Sequence, residues 1–236
     1  MIIDERRRLE IVGDKEATTK FCVDHWVSAA KGAIDDHDAF YVALSGGSTP
    51  KVIFESLKNL SLPWEKIHLF WSDERSVPPD DPSSNYKMAM DAGLKGRVPD
   101  SQIHRMCAEG DIEQGAIDYE RAIKTTLAGR PFDLVMLGMG DDGHTASLFP
   151  GTAALQEKNR LVVANHVPQK ETHRMTMTFP CINSALNIAI YVLGASKEEM
   201  LPRVLSCDDL ALPASHVGTK ERPALWIADQ SAANKL

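Results

Sequence analysis

Apolar positions along this chain switch repeatedly between two periods. Residues 9–12, 39–44, 67–71 and 132–137 form short runs of the kind that fill strands. Segments 161–164, 174–179, 187–193 and 225–228 are further strand candidates. Between them the spacing turns helical. After Asp14, the residues Val23, Val27, Ala30 and Ile34 recur on one face, and Pro50 suits the first turn of a helix over 50–60. Helices are also predicted over 85–94 and 197–205. Asp111 with Gln114 three residues on resembles a capping box, opening the stripe Ile112, Ala116, Tyr119, Ile123, Leu127.

Strands alternating with helices predict an α/β fold: a mostly parallel, Rossmann-like sheet with helices on both faces. The near-continuous apolar run 132–137 fits a strand buried on both sides. Neither an internal repeat nor a composition shift marks a boundary, so residues 1–236 are expected to form one domain. In open sheets of this class ligands bind beyond the carboxyl ends of the strands. The polar and glycine-rich segments of this chain fall at those ends.

Composition narrows the chemistry. Apolar residues make up 43% and charged residues 25%, so disorder is not expected as the main state. The 26 basic and 33 acidic side chains leave a formal charge of −7. That surface repels phosphate backbones, so nucleic acid is not an expected partner, and a phosphorylated ligand would need a local cluster of cations or N–H groups. Cys22, Cys107, Cys181 and Cys207 form no CxxC pair and fit reduced thiols in a cytoplasm. Residues 1–14 lack the apolar core of a secretory signal, and the most apolar stretch, 188–193, is far short of a membrane span. His166 and His173 are too widely spaced for a helical metal pair, and with no third ligand evident no metal or other cofactor is expected.

Three post-strand segments could carry chemistry. In Ser45-Gly46-Gly47-Ser48-Thr49-Pro50 the glycines let the backbone turn sharply, and N–H groups and hydroxyls can face an anion. Such turns also have purely structural uses, and this one is neither a P-loop nor GxGxxG nor GxSxG. In Asp73-Glu74-Arg75 the guanidinium can grip a phosphate or carboxylate and Asp73 can accept from sugar hydroxyls, although the three charges could simply pair with one another. In Gly138-Met139-Gly140-Asp141-Asp142-Gly143-His144 an imidazole with an ordinary pKa of about 6.5 can take a proton from water. Asp141 and Asp142 are both candidates to orient it. Together these segments suit a small phosphorylated substrate and water- or proton-transfer chemistry.

The same strings, in this order, resemble the 6-phosphogluconolactonase family, whose fold is shared with glucosamine-6-phosphate deaminases. The likeness covers ALSGGSTP (43–50), WSDERSVPPDDPSSNY (71–86), LGMGDDGHTASLFPG (137–151) and HRMTMTFPCIN (173–183). It continues in VLGASK (192–197), LPAS (212–215) and LWIAD (225–229). It implies hydrolysis of 6-phospho-D-glucono-1,5-lactone to 6-phosphogluconate in the pentose phosphate pathway. His144 would be the general base and Asp142 its orienting group. Arg75, the turn from Ser45 to Thr49, Arg174 and Lys197 would hold the phosphate, with Asp73 lining the sugar site. Met175 departs from the family pattern, where isoleucine usually follows the arginine. A deaminase-isomerase on the same fold would have a glutamate at Phe149 and a tyrosine at Arg75. A non-catalytic sugar-phosphate sensor would keep the cradle without needing His144. Ammonia release, or a His144 variant with no activity to lose, would distinguish these.

Overall fold

The computed structural model describes residues 1–206 and 211–236. In chain order the elements are β1 (Arg7–Ile11), α1 (Lys15–His37), β2 (Phe40–Leu44), α2 (Ser48–Leu57), β3 (Ile67–Trp71), β4 (Asp73–Arg75), α3 (Asn85–Ala89), α4 (Ile112–Leu127), β5 (Leu134–Gly138), β6 (Val162–Val167), β7 (Thr172–Met177), α5 (Phe179–Asn183), β8 (Ile188–Val192), α6 (Met200–Ser206) and β9 (Ala224–Ala228). Six strands make one sheet in the order β1-β9-β8-β5-β2-β3, all neighbours parallel. Its central strands read as unbroken apolar runs because helices cover both faces, and every residue of β8 is buried.

The helix termini follow from local chemistry. Asp14 caps α1 by accepting the Ala17 N–H at 2.8 Å, and Asp111 caps α4 through the Gln114 N–H at 3.1 Å. The Gln114 amide turns away to Asp118, so only half of the expected capping box forms. In α1 the buried face is centred on Cys22, Trp26, Ala30 and Ala33, with Val27 and Ile34 at its margin. Trp26 sets this offset by packing edge-on against Phe40 of β2, 5.1 Å between ring centres. The segment predicted as one helix over 85–94 is α3 followed by a wide turn, Met90–Leu94, broken where Gly93 takes φ 121°.

The chain also contains a second sheet that periodicity missed. β4, β7 and β6 pair antiparallel in that order. The Asp73–Arg75 segment, read from sequence only as a polar segment after a strand, is an edge strand of three residues. The run expected over 174–179 lies two residues earlier and belongs to this small sheet, not to the parallel one. The reason is physical: a strand of three residues holds barely more than one period of alternation, too little to stand out in a polar segment. His166 and His173, too far apart for one helix, are directly opposed across the β6–β7 hairpin.

One feature of the main sheet positions the site. The ladder between β2 and β5 stops at Ala43↔Val135. β2 stays paired with β3 as far as Leu44↔Trp71, and β5 with β8 as far as Gly138↔Tyr191. From β2 the chain next adds β3 on one side, while β5 leads to β8 and β9 on the other. This is the point where strand order reverses, and the two strand ends open there into a crevice. Among the described residues no helix is long and apolar enough to cross a membrane. Cys22, Cys107 and Cys181 are free thiols; Cys207 lies outside the described residues.

Candidate active site

A cleft of about 190 Å³ occupies this crevice. Its walls are Ser45, Gly46 and Gly47 after β2; Asp73 and Arg75 of β4; Asn85 at the start of α3; Gly138 to Gly140, His144 and Ala146 after β5; and Arg174 of β7. Segments separated by more than a hundred residues thus share one cavity.

Gly47, at φ 104°, is the N-cap of α2 and offers no side-chain cap, so the first N–H groups of the helix remain for a ligand. Ser48 and Thr49 form its first turn, just outside the cavity wall. At Gly46 a methyl group would lie 1.8 Å from Asn85 Oδ1, so only glycine lets the turn close against that amide. Asn85 Nδ2 donates to Asp73 Oδ1 at 3.1 Å and to the Asp73 carbonyl at 2.9 Å, coupling the turn to β4.

After β5 the chain folds tightly around the imidazole. His144 Nδ1 lies 2.5 Å from Asp142 Oδ1, and the His144 N–H donates to the same oxygen at 3.1 Å. Burial works to raise the Asp142 carboxyl. The hydrogen bond and charge of His144 outweigh it and hold the carboxyl at about 2. Asp142 is thus a carboxylate at neutral pH and fixes the proton-bearing nitrogen of a neutral imidazole as Nδ1, leaving Nε2 to accept. A Cβ at Gly140 would sit 2.0 Å from His144 Nδ1, so the loop can wrap this closely only as glycine. Phe149, 1% exposed, stacks on the imidazole at 3.9 Å between centres and 19° between planes, blocking ring rotation. The Arg174 guanidinium lies 5.8 Å from the same phenyl ring.

The choice between the two aspartates follows from geometry. Asp141 points outward and takes Lys197 Nζ at 2.5 Å. Lys197 therefore stands beside the cleft, engaged by Asp141, and is not part of its wall.

The cationic side is unusual. Arg75 and Arg174 are directly opposed in the antiparallel β4–β7 ladder, and their Nε atoms are buried without a partner among the described residues. Like charges facing each other across a ladder destabilise it. Burial is the largest influence on Arg174 and lowers its pKa; Arg75 pushes the same way, while Asp73 and Glu74 oppose both. An anion between the two guanidiniums would relieve this repulsion. Arg75 Nη1 donates to the Ser83 carbonyl, which holds the side chain in place.

Beneath the arginines lies a buried polar frame. Asp73, 5% exposed, accepts Ser147 Oγ–H at 2.6 Å; the Ser147 N–H donates to Thr176 Oγ1, and Asn165 Nδ2 donates to the Ser147 carbonyl. Glu74 faces the other way. Its carboxylate accepts the N–H groups of Arg75, Asn85 and Tyr86 and the Ser84 hydroxyl, seating the start of α3. Burial nonetheless raises its pKa above the usual carboxylate range. Asn85, Ser147 and Phe149 were not singled out from sequence as site residues. All three lie inside the motif strings, but nothing local marks Asn85 or Ser147, because their partners are distant in sequence.

Residues 13–226 match the family model of glucosamine-6-phosphate isomerases/6-phosphogluconolactonase. The chain belongs to this family. A 6-phosphogluconolactonase from Chlamydia muridarum is 41% identical over 95% of this chain and 89% of its own length. One from a Nostoc species is 38% identical over 98% of this chain and 99% of its own. The crystal structure of 6-phosphogluconolactonase from Thermotoga maritima superposes with a TM-score of 0.84 at 30% identity, over 95% of this chain and all of that one. Family membership makes the crevice between β2 and β5 the natural place to look for its chemistry. Among the described residues no group of three or more His, Cys, Asp or Glu side chains is arranged to hold a metal ion.

Proposed function

We propose that this chain hydrolyses 6-phospho-D-glucono-1,5-lactone to 6-phospho-D-gluconate in the pentose phosphate pathway, as a cytoplasmic enzyme. The observation that carries the reading is the pairing within one cleft of an imidazole oriented by a carboxylate and two opposed guanidiniums that have no ion-pair partner among the described residues. Its relatives' names supply the lactone. Free, buried thiols at Cys22 and Cys181 fit a reducing compartment.

In this mechanism the phosphate sits between Arg75 and Arg174, with the N–H groups and hydroxyls of Ser45, Gly46, Gly47, Ser48 and Thr49 as further donors and Lys197 at the rim. Asp73 faces the sugar. His144 Nε2 takes a proton from water as its oxygen attacks the lactone carbonyl. The tetrahedral intermediate collapses with cleavage of the bond to the ring oxygen, which takes the proton back from the imidazolium. Asp142 stabilises that imidazolium without itself being protonated. General-base assistance of this kind contributes about 10²–10⁴-fold. A lactone is already an activated ester, and phosphate contacts remote from the carbonyl can position it for attack.

In a pH-stat with freshly prepared lactone, the protein is expected to release acid well above the spontaneous rate. His144→Ala should bring it down by about 10²–10⁴-fold, and Arg75→Ala should act mainly through KM. Wild-type rates in His144→Ala would overturn the mechanism, and ammonia release from glucosamine 6-phosphate without lactone hydrolysis would overturn the activity.

A further inference from the structure

His166 and His173 have no part in the chemistry above, yet the hairpin brings them face to face. They are register partners in the β6–β7 ladder, their ring centres are 4.8 Å apart, and their planes are tilted by 49°. Both residues are exposed, and neither ring makes a hydrogen bond or ion pair with any described residue. Side chains alternate along a strand, so His173 shares the face of Met175, opposite to that of Arg174 and Thr176. The pair is therefore separate from the cleft.

We propose that His166 and His173 form a binding site for one borderline divalent transition-metal ion, of the Cu²⁺, Ni²⁺ or Zn²⁺ class, with solvent completing the coordination. The spacing supports it. A metal–imidazole nitrogen bond is about 2.0–2.1 Å, which puts each ring centre roughly 3.2 Å from the ion. Two centres 4.8 Å apart then subtend about 97° at the metal. That lies between the square or octahedral angle of about 90° and the tetrahedral angle of about 109°, so both rings can reach one ion with side-chain adjustment alone. Neutral imidazole is the donor these ions favour. The backbone is already fixed by six register pairs between β6 and β7, so the chelate is assembled before the ion arrives and little ordering entropy opposes binding. The second imidazole binds at the high effective concentration set by the first. An ion seated there bridges β6 to the strand that carries Arg174, and binding only to the folded hairpin must raise its stability.

Untagged protein titrated calorimetrically with CuCl₂, NiCl₂ or ZnCl₂ in a non-chelating buffer is expected to take up one ion per chain, Cu²⁺ most tightly. His166→Ala and His173→Ala should each weaken binding by about tenfold or more. The rise in Tm produced by the ion in wild type should shrink in each variant and vanish when both are combined, and the exposed positions leave the fold intact by circular dichroism. His68→Ala, at the other close histidine pair, should bind as wild type does. Uptake that persists in the double variant, uptake lost in His144→Ala but retained in the double variant, or no uptake at millimolar metal would each overturn the proposal.

Discussion

At the scale of single residues, the site depends on atoms being absent as much as on groups being present. Gly140 has no Cβ, and His144 Nδ1 occupies the space one would fill, 2.0 Å away. Gly140→Ala must therefore drive the imidazole off Asp142. Displacing a catalytic group by about 1 Å can cost about 10²-fold, so kcat is expected to fall by about that factor while the circular dichroism spectrum and Tm remain near wild type. Unchanged kcat would show that the His144–Asp142 contact does not govern the rate. This part of the site was legible from sequence, since Gly140, Asp142 and His144 lie within five residues. The residues by themselves left Asp141 and Asp142 open, and only the resemblance pointed to Asp142. The structure puts Asp142 against the imidazole and Asp141 against Lys197.

At the scale of elements, the predicted strands and helices were readable where each is long enough to carry a continuous apolar run or several turns of one stripe. Five residues of β3 were recovered end to end, and α4 lies where its apolar stripe predicted. β4 was not readable, although it supplies two walls of the cleft and the seat of α3. Its three side chains point alternately, so Asp73 and Arg75 reach the cleft while Glu74 turns back to seat α3. Glu74→Gln replaces a carboxylate oxygen with an amide NH2, a donor facing donors. Leaving buried donors unpaired costs about 1–3 kcal/mol, a loss expected as a lower urea midpoint with unchanged m. A midpoint equal to wild type would mean that α3 is held by other contacts. The strand's short length also explains why the facing of Arg75 and Arg174 could not be foreseen: opposition across a ladder requires knowing that the ladder exists.

At the scale of the whole molecule, a second cluster of titratable groups lies away from the cleft and is expected to make stability depend on pH. His104 stacks on Phe70 at 4.3 Å and faces His68, whose Nδ1 lies 3.3 Å from His104 Nε2. Burial, reinforced by His68, lowers His104 to about 4; burial alone lowers His68 and His25. The folded pKa is below the unfolded value of about 6.5, so the unfolded chain binds more protons between those limits. Stability is therefore full above about pH 6.5 and falls as pH drops towards 4. Asp142 acts in a lower window, its contribution being lost progressively as pH falls from the unfolded value of 3.8 through the folded value of about 2. Urea midpoints measured at pH 7 and pH 5 should show the decline, and His104→Gln should flatten it; an equal slope in that variant would place the sensitivity elsewhere.

Local order and pairwise neighbours were written in the sequence itself: the alternation that makes a parallel sheet, the glycine turn at the head of α2, the carboxylate two residues from the imidazole. Those features depend on backbone propensity and on contacts a few bonds away, which the chain cannot avoid making. Tertiary structure alone decided that Arg75 meets Arg174, that Ser147 reaches Asp73, that Asn85 closes on Gly46, and that His166 faces His173. Each such pair is joined across 7 to 99 residues of chain and has no local signature. Only the burial of the whole core, closing the sheets at one register, brings its members within a few ångströms.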